Sequence, residues 1–334
     1  MSHKVIFDTD PGVDDAMALY FALAHPEIDI VGITTTFGNV TVPQATANAL
    51  YLTRIAGYEI PVAEGGALPL MKAPGKPPGF IHGDDGLGNL PSRVAVSGQA
   101  EAVSAAEFIV NMARQFPGEI TIVAVGPFIN LGLALKLEPQ LPKLIKQVIL
   151  MAGTVVEPGN VSPVAEANVW NDPHSADLVF TAGWNLTMVG LDVTHRVVMQ
   201  SAYFAQLAQH HQHHQQHLAL STLQHAVNFY SDFHLKARPE LRHACYGHDI
   251  LAFVYLVAPE LFQTQDGRVR VQLEGMGNGQ TMLDRLGGTL TYAEPGWEAR
   301  RPETRVCMQV DTAQCLALIE RTLEANWLRT PLVL

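Results

Sequence analysis

Cysteine is scarce in this chain: Cys245, Cys307 and Cys315 are the only three in 334 residues. An odd number with no CxxC pair does not make a disulfide framework. Positive charge is also short, with 21 Lys and Arg against 32 Asp and Glu, a net charge of −11. That balance argues against a broad nucleic-acid-binding or anionic-membrane surface. No apolar run approaches the ~18 residues of a membrane helix. The opening MSHKVIFDTD reaches a carboxylate at position 8, before any apolar core of a signal peptide could form, so a soluble, cytoplasmic protein is expected. What is present is core material. With 48% hydrophobic and 16% charged residues, the chain is too apolar for disorder and can bury a sizeable interior. Its length suits one large or two medium domains at ~150 residues each.

The first sixty residues alternate strand and helix patterns: a short apolar run over 4–7, a helix-forming run AMALYFALA over 16–24, a strand over 28–35, a helix over 42–55 and a strand over 60–63. This rhythm implies parallel strands joined by crossover helices, an α/β sheet buried on both faces. It returns as helix 102–115, strand 120–125, helix 130–137, strand 147–151, helix 174–180 and strand 186–191. Segments 68–78 and 81–90 are rich in Gly and Pro and read as loops. Residues 203–235 are polar-helical and His-rich, and 268–312 alternate as in an antiparallel hairpin region. The expected organisation is one α/β domain over 1–334, with a mobile helical segment around 200–240.

The most informative segment is VIFDTDPGVDDAMAL, which packs Asp8, Asp10, Asp14 and Asp15 between a strand and a helix. Ligands of open α/β sheets bind at the carboxyl ends of strands, where this turn must lie. Crowded carboxylates in a partly dry crevice either take up protons or are neutralised by a cation. An all-oxygen set selects a hard ion, Ca²⁺ or Mg²⁺, over Zn²⁺. An EF-hand does not fit, since its loop spacing counted from Asp8 would need Glu where Leu19 stands. Helix capping by Asp14 or Asp15 accounts for at most two of the four. Two further segments stand out. Gly247-His248-Asp249 precedes the apolar run ILAFVYLV, and GNVSPVAEANVWNDP carries Asn160, Glu166, Asn168, Asn171 and Asp172. A loop this dense in amides and carboxylates suits a polyhydroxylated ligand, or is a surface loop built of Asx turns.

These blocks resemble the nucleoside hydrolases, the inosine–uridine-preferring and pyrimidine-preferring ribonucleosidases. The likeness spans most of the chain: DTDPGVDD at 8–15, TTTFGN at 34–39, HGDDGLGN at 82–89, AVGPFIN at 124–130, GNVSPVAEAN at 159–168, GLDVTH at 190–195 and GHD at 247–249. The resemblance implies a Rossmann-like, mainly parallel open sheet flanked by helices, with Ca²⁺ at the bottom of the pocket. It places the metal on Asp10, Asp15, Asp249 and the main-chain carbonyl of Val125. It puts Asp14, Asn39, Asn160, Glu166, Asn168 and Asp249 on the ribose, and His82 and His248 near the nucleobase. A homodimer or homotetramer is also implied. Two positions depart from the family pattern: Ala167 replaces a usual Phe, and Ile250 a common Pro.

The chemistry implied is cleavage of an N-glycosidic bond through an oxocarbenium-like sugar, with water activated opposite the leaving group. Ca²⁺ is too weak an acid to deliver hydroxide alone at neutral pH, so a base is needed, and Asp10 is the candidate. His248 is the candidate proton donor to the departing base. Two histidines in the pocket favour uridine and cytidine, or uridine with inosine, over a purine-only enzyme. In 226–235, Phe229 and Phe233 stand four apart on one helical face, either over the base or as a core stripe. The tract HHQHHQQH at 210–217 is read as a solvated helix segment, and Trp170 and Trp184 as packing residues. Two rivals remain. A haloacid-dehalogenase-like phosphatase also holds a divalent ion on a DxD turn, but wants Gly-Thr where this chain has Pro11-Gly12. A non-catalytic nucleoside-binding protein would not need a base at Asp10.

Overall fold

The computed structural model describes residues 2–211, 217–285, 297 and 302–334. Nine strands form one sheet: β1 (His3–Thr9), β2 (Ile28–Thr35), β3 (Val62–Glu64), β4 (Ile120–Ala124), β5 (Gln147–Met151), β6 (Leu186–Val189), and, after a two-stranded ribbon of β7 (Val198–Gln200) and β8 (Ala244–Tyr246), β9 (Phe262–Val271), β10 (Thr281–Asp284) and β11 (Thr304–Val310). The spatial order is β10-β9-β11-β6-β5-β4-β1-β2-β3. From β3 to β11 every neighbouring pair is parallel, and β9 and β10 extend that edge by antiparallel pairing. The run 3-2-1-4-5-6 is a doubly wound order whose direction reverses between β1 and β4, which is where such sheets open a ligand crevice.

Alternation along β1 explains the two covering layers. Val5 and Phe7 enter a core shared with the helices Val13–Ala24, Ile250–Val257 and Thr312–Leu323, while Ile6 enters one shared with Ala105–Gln115, Ile129–Leu137 and Pro173–Phe180. Both faces being covered, the strands read as continuous apolar runs. The helix Ala105–Gln115 starts three residues later than its pattern suggests, because Ser104 and Glu107 close a capping box. Strand β3 starts at Val62, after Pro61, two residues later than expected. The segment expected as polar helix forms two, Ser201–His210 and His217–Ala237. The second buries Leu220, Leu223, Val227 and Tyr230 against the core. Most of the His-rich tract at 210–217 lies outside the described residues. Among the described residues no helix is long and apolar enough to cross a membrane.

One buried amide ties the sheet together behind the crevice. Asn130 Nδ2 donates to Asp8 Oδ1 (2.7 Å) and to the Thr35 carbonyl (2.9 Å), and its Oδ1 accepts from Gly66 N (2.9 Å). Truncation takes one of two donors from Asp8 Oδ1, which keeps the Thr34 hydroxyl (2.6 Å), and removes the amide's bonds to the Thr35 carbonyl and the half-buried Gly66 N. A buried group left unpaired costs ~1–3 kcal/mol. Asn130→Ala should therefore lose about 2–4 kcal/mol in urea denaturation, whereas a loss below about 1 kcal/mol would show that the amide does not brace the crevice.

Candidate active site

The crevice opens where β1 and β4 part. The last bond between them is Val125 N to the Asp8 carbonyl (2.9 Å), after which the chain of β1 turns through Pro11-Gly12 into the helix Val13–Ala24. This turn carries the acidic floor. Asp15 closes it: Oδ2 accepts from Gly12 N (2.9 Å) and Asn39 Nδ2 (2.9 Å), and Oδ1 accepts from the Thr9 hydroxyl and from Asp10 N (3.3 Å). Capping is thus real at Asp15, and does not account for the others. Asp10 Oδ2 accepts from Asn39 N (2.6 Å), and its carboxylate is flanked so closely by Gly38 and Gly126 that a Cβ at Gly38 would overlap Oδ2. Asp14 Oδ2 accepts from the Tyr230 hydroxyl (3.3 Å). Asp249 arrives from the far end of the sequence, at the start of Ile250–Val257.

Asp14, Asp15 and Asp249 each offer an oxygen within 4.8 Å of the others. Burial raises the pKa of all three and of Asp10, and the mutual repulsion of the carboxylates adds to it at Asp10, Asp15 and Asp249. Asp10 Oδ1 and Asp14 Oδ1 are sealed from solvent with no hydrogen-bond partner among the described residues. An orphaned, buried oxygen at Asp14, inside a triad whose oxygens lie within 4.8 Å of one another, is what a hard cation satisfies, and the donor set is all oxygen. The residues fit such an ion. The grouping differs in one respect from the implied ligand set: Asp14, expected on the ribose, belongs to the tight triad, while Asp10 lies beside it. The Val125 carbonyl lines the same cavity and accepts from Asn168 Nδ2 (2.6 Å).

Above the floor is a cavity of about 810 Å³. One wall is the loop after β5. Glu166 caps the short helix Ala167–Asn171, accepting from Asn168 N (2.7 Å) and Val169 N (3.2 Å), and also accepts from Gly153 N (2.9 Å). Burial lifts its pKa to about 7 against these bonds. Asn160 accepts from Ala167 N (3.0 Å), which folds the loop tip inward. The loop is held by Asp192, whose carboxylate accepts from the backbone N–H groups of Val155, Val156 and Glu157.

The opposite wall is a chain of rings. His82 stacks on Tyr230 (centroids 5.2 Å), Tyr230 meets His234 (4.4 Å), His234 meets Tyr246 (5.5 Å), and Tyr246 meets His195 (4.7 Å) and His248 (5.5 Å). Burial lowers the pKa of His82, takes His195 to about 4, and lowers that of His248 well below the usual imidazole range, helped there by the neighbouring histidines. These rings are neutral at pH 7. Val13 N donates to His82 Nδ1 (3.3 Å), which leaves the His82 proton on Nε2. The pocket therefore has two chemically distinct surfaces, carboxylates at its floor and neutral rings along one wall, with exposed Arg238 also lining it.

Asp14, Asn39, His82, Val125, Asn160, Glu166, Asn168, His248 and Asp249 all line this one cavity, and Asp10 and Asp15 lie immediately beneath it. The side chain of Asn39, expected on the ribose, is committed to Asp15. Phe233 lines the cavity, while Phe229 lines a smaller side hollow and packs near Gly88. Trp184 packs as expected, but Trp170 belongs to the cavity wall, with Lys72 Nζ 3.1 Å from its ring centroid. Sequence reasoning passed over Tyr230, His234 and Tyr246. The first two follow Phe229 and Phe233 by one position each, and the rotation of His217–Ala237 decides which pair faces in.

A carboxylate floor beside a wall of rings is chemically suited to a sugar joined to a heteroaromatic base, and the chain is similar to proteins that act on such molecules. Residues 5–317 match the family model described as inosine-uridine preferring nucleoside hydrolase. A probable uridine nucleosidase of Oryza sativa subsp. japonica is 39% identical over 96% of this chain and 97% of its own length. The inosine-uridine preferring nucleoside hydrolase of Leishmania major is 33% identical over 95% and 97%. Among solved structures, a plant nucleoside hydrolase superposes with a TM-score of 0.90 at 36% identity, covering 98% of this chain and all of that one. A purine-preferring ribonucleoside hydrolase from Gardnerella vaginalis gives 0.86 at 31%, covering 96% and 98%. Fold and site define an N-glycosidase. The chain belongs to the inosine-uridine preferring nucleoside hydrolase family, enzymes that cleave the N-glycosidic bond of ribonucleosides.

The charge arrangement sets a pH dependence. Burial places the carboxyls of Asp8 and Glu166 at about 7 in the folded chain, well above their unfolded values of about 4. Such groups favour the folded state most at low pH, and that contribution is lost as pH rises through the folded value. The buried histidines, whose pKa is lowered in the folded chain, titrate around pH 6.5 when unfolded and pull the other way. In protein stripped by a chelator the Glu166→Gln variant is therefore the clean comparison: its melting temperature should gain a few degrees on the wild type as pH rises from about 5 to about 8. A difference between the two proteins that does not change with pH would contradict a Glu166 carboxyl raised by burial.

Proposed function

We propose that this chain is a calcium-dependent hydrolase of pyrimidine ribonucleosides, uridine foremost, with inosine as a further substrate, and that residues 1–334 act as one catalytic unit. The observation that carries the reading is the convergence of Asp10, Asp14, Asp15 and Asp249 beneath a single cavity walled by neutral imidazoles. Support for uridine comes from the uridine nucleosidases at 39% identity. The phosphatase reading is weaker: it would need a Lys beside the ion to balance the phosphate, and Asp14, Asp15 and Asp249 are approached by Asn39, His82 and Tyr230 instead.

Asp10, Asp15, Asp249 and the Val125 carbonyl would hold the ion, with Asp14 beside them. Bound there, calcium would offset the crowded negative charge and polarise a water and the ribose hydroxyls. Asp14, Glu166 and Asn168 line the cavity above, where they can grip the ribose hydroxyls, and the negative charge of the two carboxylates favours the cationic sugar of the transition state. Asp10 has one carboxylate oxygen with no donor among the described residues, suited to taking the proton of the attacking water. At the other end, the C1′–N bond breaks and its electron pair leaves with the base. His248, neutral at pH 7, meets that developing charge with an N–H. The water oxygen bonds to C1′ and its proton goes to Asp10; the released base takes a proton from solvent and Asp10 returns its own to solvent, which gives ribose and free base.

Asp10→Asn keeps the size of the side chain and removes the base, and Asp10→Ala removes both. Each should lower kcat for uridine by at least about 10³-fold in a reducing-sugar assay; wild-type-like release by either variant would refute the mechanism. Because hydroxyl binding is used to reach the transition state, deoxyuridine should be turned over at least about 10²-fold more slowly than uridine. Equal rates would remove the ribose-gripping role from Asp14, Glu166 and Asn168.

A further inference from the structure

The turn that follows β6 touches the proposed leaving-group donor. Thr194 is buried in the short helix Leu191–Thr194, and its Oγ1 lies 2.9 Å from His248 Nδ1. Two elements hold this pair together. The β7–β8 ribbon pairs Val198 with Tyr246, and the next bond of that ladder, Gly247 N to the Val197 carbonyl (2.9 Å), draws the 247–249 segment onto the 194–197 turn. On its open side, the His248 ring sits edge-to-face with His195 (centroids 5.6 Å) and forms part of the cavity wall.

The proton on this imidazole can be located by counting partners. The Thr194 hydroxyl has one hydrogen to give, and His248 Nδ1 is its only hydrogen-bond partner among the described residues. If His248 carried its proton on Nδ1, that nitrogen would donate, and the buried hydroxyl hydrogen would be left with no acceptor. If the proton is on Nε2, the hydroxyl donates to Nδ1 and both groups are satisfied. His248 Nε2 has no hydrogen-bond partner among the described residues, and it is not one of the polar atoms sealed from solvent, so it opens on the cavity.

We propose that Thr194 is a positioning residue for the hydrolysis. By donating to Nδ1 it holds His248 in the Nε2–H form and aims that N–H at the nitrogen of the departing nucleobase. The assignment rests on the role given to His248 above. No proton is consumed by the device: the N–H hydrogen-bonds to the base as the C1′–N electron pair departs, and the second-nitrogen contact orients the ring, as outer partners orient functional histidines elsewhere. Threonine suits the position because its second branch stiffens χ1 and so fixes the hydroxyl.

The test uses two leaving groups. Uracil needs a donor to depart, whereas p-nitrophenolate, released from p-nitrophenyl riboside, is stable as an anion. Thr194→Val keeps the shape of the side chain and removes the hydroxyl. It should lower kcat for uridine about 10-fold, with KM and the kcat for p-nitrophenyl riboside each within about two-fold of wild type. Thr194→Ser should restore the uridine rate, and His248→Ala should show the same selective loss, larger in size. The His248→Ala/Thr194→Val double variant should be no worse than His248→Ala alone. An equal loss on both substrates in Thr194→Val, or no loss where His248→Ala is selectively slowed, overturns the assignment. No selective loss in His248→Ala itself overturns the donor role beneath it. Independently of any variant's folding, ¹⁵N–¹H correlation spectra of histidine-labelled enzyme read the tautomer directly: Nε2 protonation of His248 is expected, and Nδ1 protonation overturns the proposal.

Discussion

Like charges held together out of water are the constraint around which this molecule is built. A buried carboxylate is costly, and several sharing one crevice are costlier still, unless something neutralises them or they take up protons. The fold accepts that cost at one place, the point between β1 and β4 where the winding of the sheet reverses. Strand ends diverge there, backbone N–H groups become free to point inward, and Asp15 takes several of them at once. The floor is therefore preorganised by the chain itself, through Asn39, Thr9 and the turn at Pro11-Gly12, before any ligand enters.

The rest of the pocket follows from that floor. A cavity negative at its base favours a sugar acquiring positive charge, and its mouth must then favour what leaves with negative charge. The wall that rises from this floor is lined with rings that burial keeps neutral. A protonated imidazole close to the floor would pair with the carboxylates, as the 3.7 Å approach of His82 Nδ1 to Asp14 Oδ1 shows. Neutral rings offer N–H groups without that competition. The two ends of the site are thus differentiated by solvation as much as by residue type. The long helix His217–Ala237 serves both: its inner face packs into the core at Leu220, Leu223 and Val227, and its C-terminal turns present Tyr230, Phe233 and His234 to the cavity.

Much of this was legible in the sequence because periodicity and turn chemistry are local. The parallel strands of the first half announce themselves as short apolar runs between amphipathic segments, and the acidic turn after β1 stands out by its density. Other features depend on contacts distant along the chain. The β7–β8 ribbon joins three-residue strands more than forty positions apart, too short and too distant to show any alternation. Whether Phe229 or Tyr230 faces the cavity turns on the rotation of one helix, about 100° per residue, which tertiary packing decides. Asn39 illustrates the same limit at the site: its position in a recognisable block is clear from the sequence, but its commitment to Asp15 is set by how the loop after β2 folds back over the turn. The partnership of Thr194 with His248 is likewise a product of the ribbon, invisible without it.

The central claim is that Asp10, Asp15 and Asp249, drawn from opposite ends of the chain, hold one hard cation at the bottom of the pocket. Anomalous diffraction from crystals grown with calcium and a non-hydrolysable ribose analogue tests it most directly. The account predicts a single ion bonded to carboxylate oxygens of all three residues, with the analogue's hydroxyls against it. A fully occupied analogue over a floor without such an ion, or an ion bound elsewhere, would contradict it.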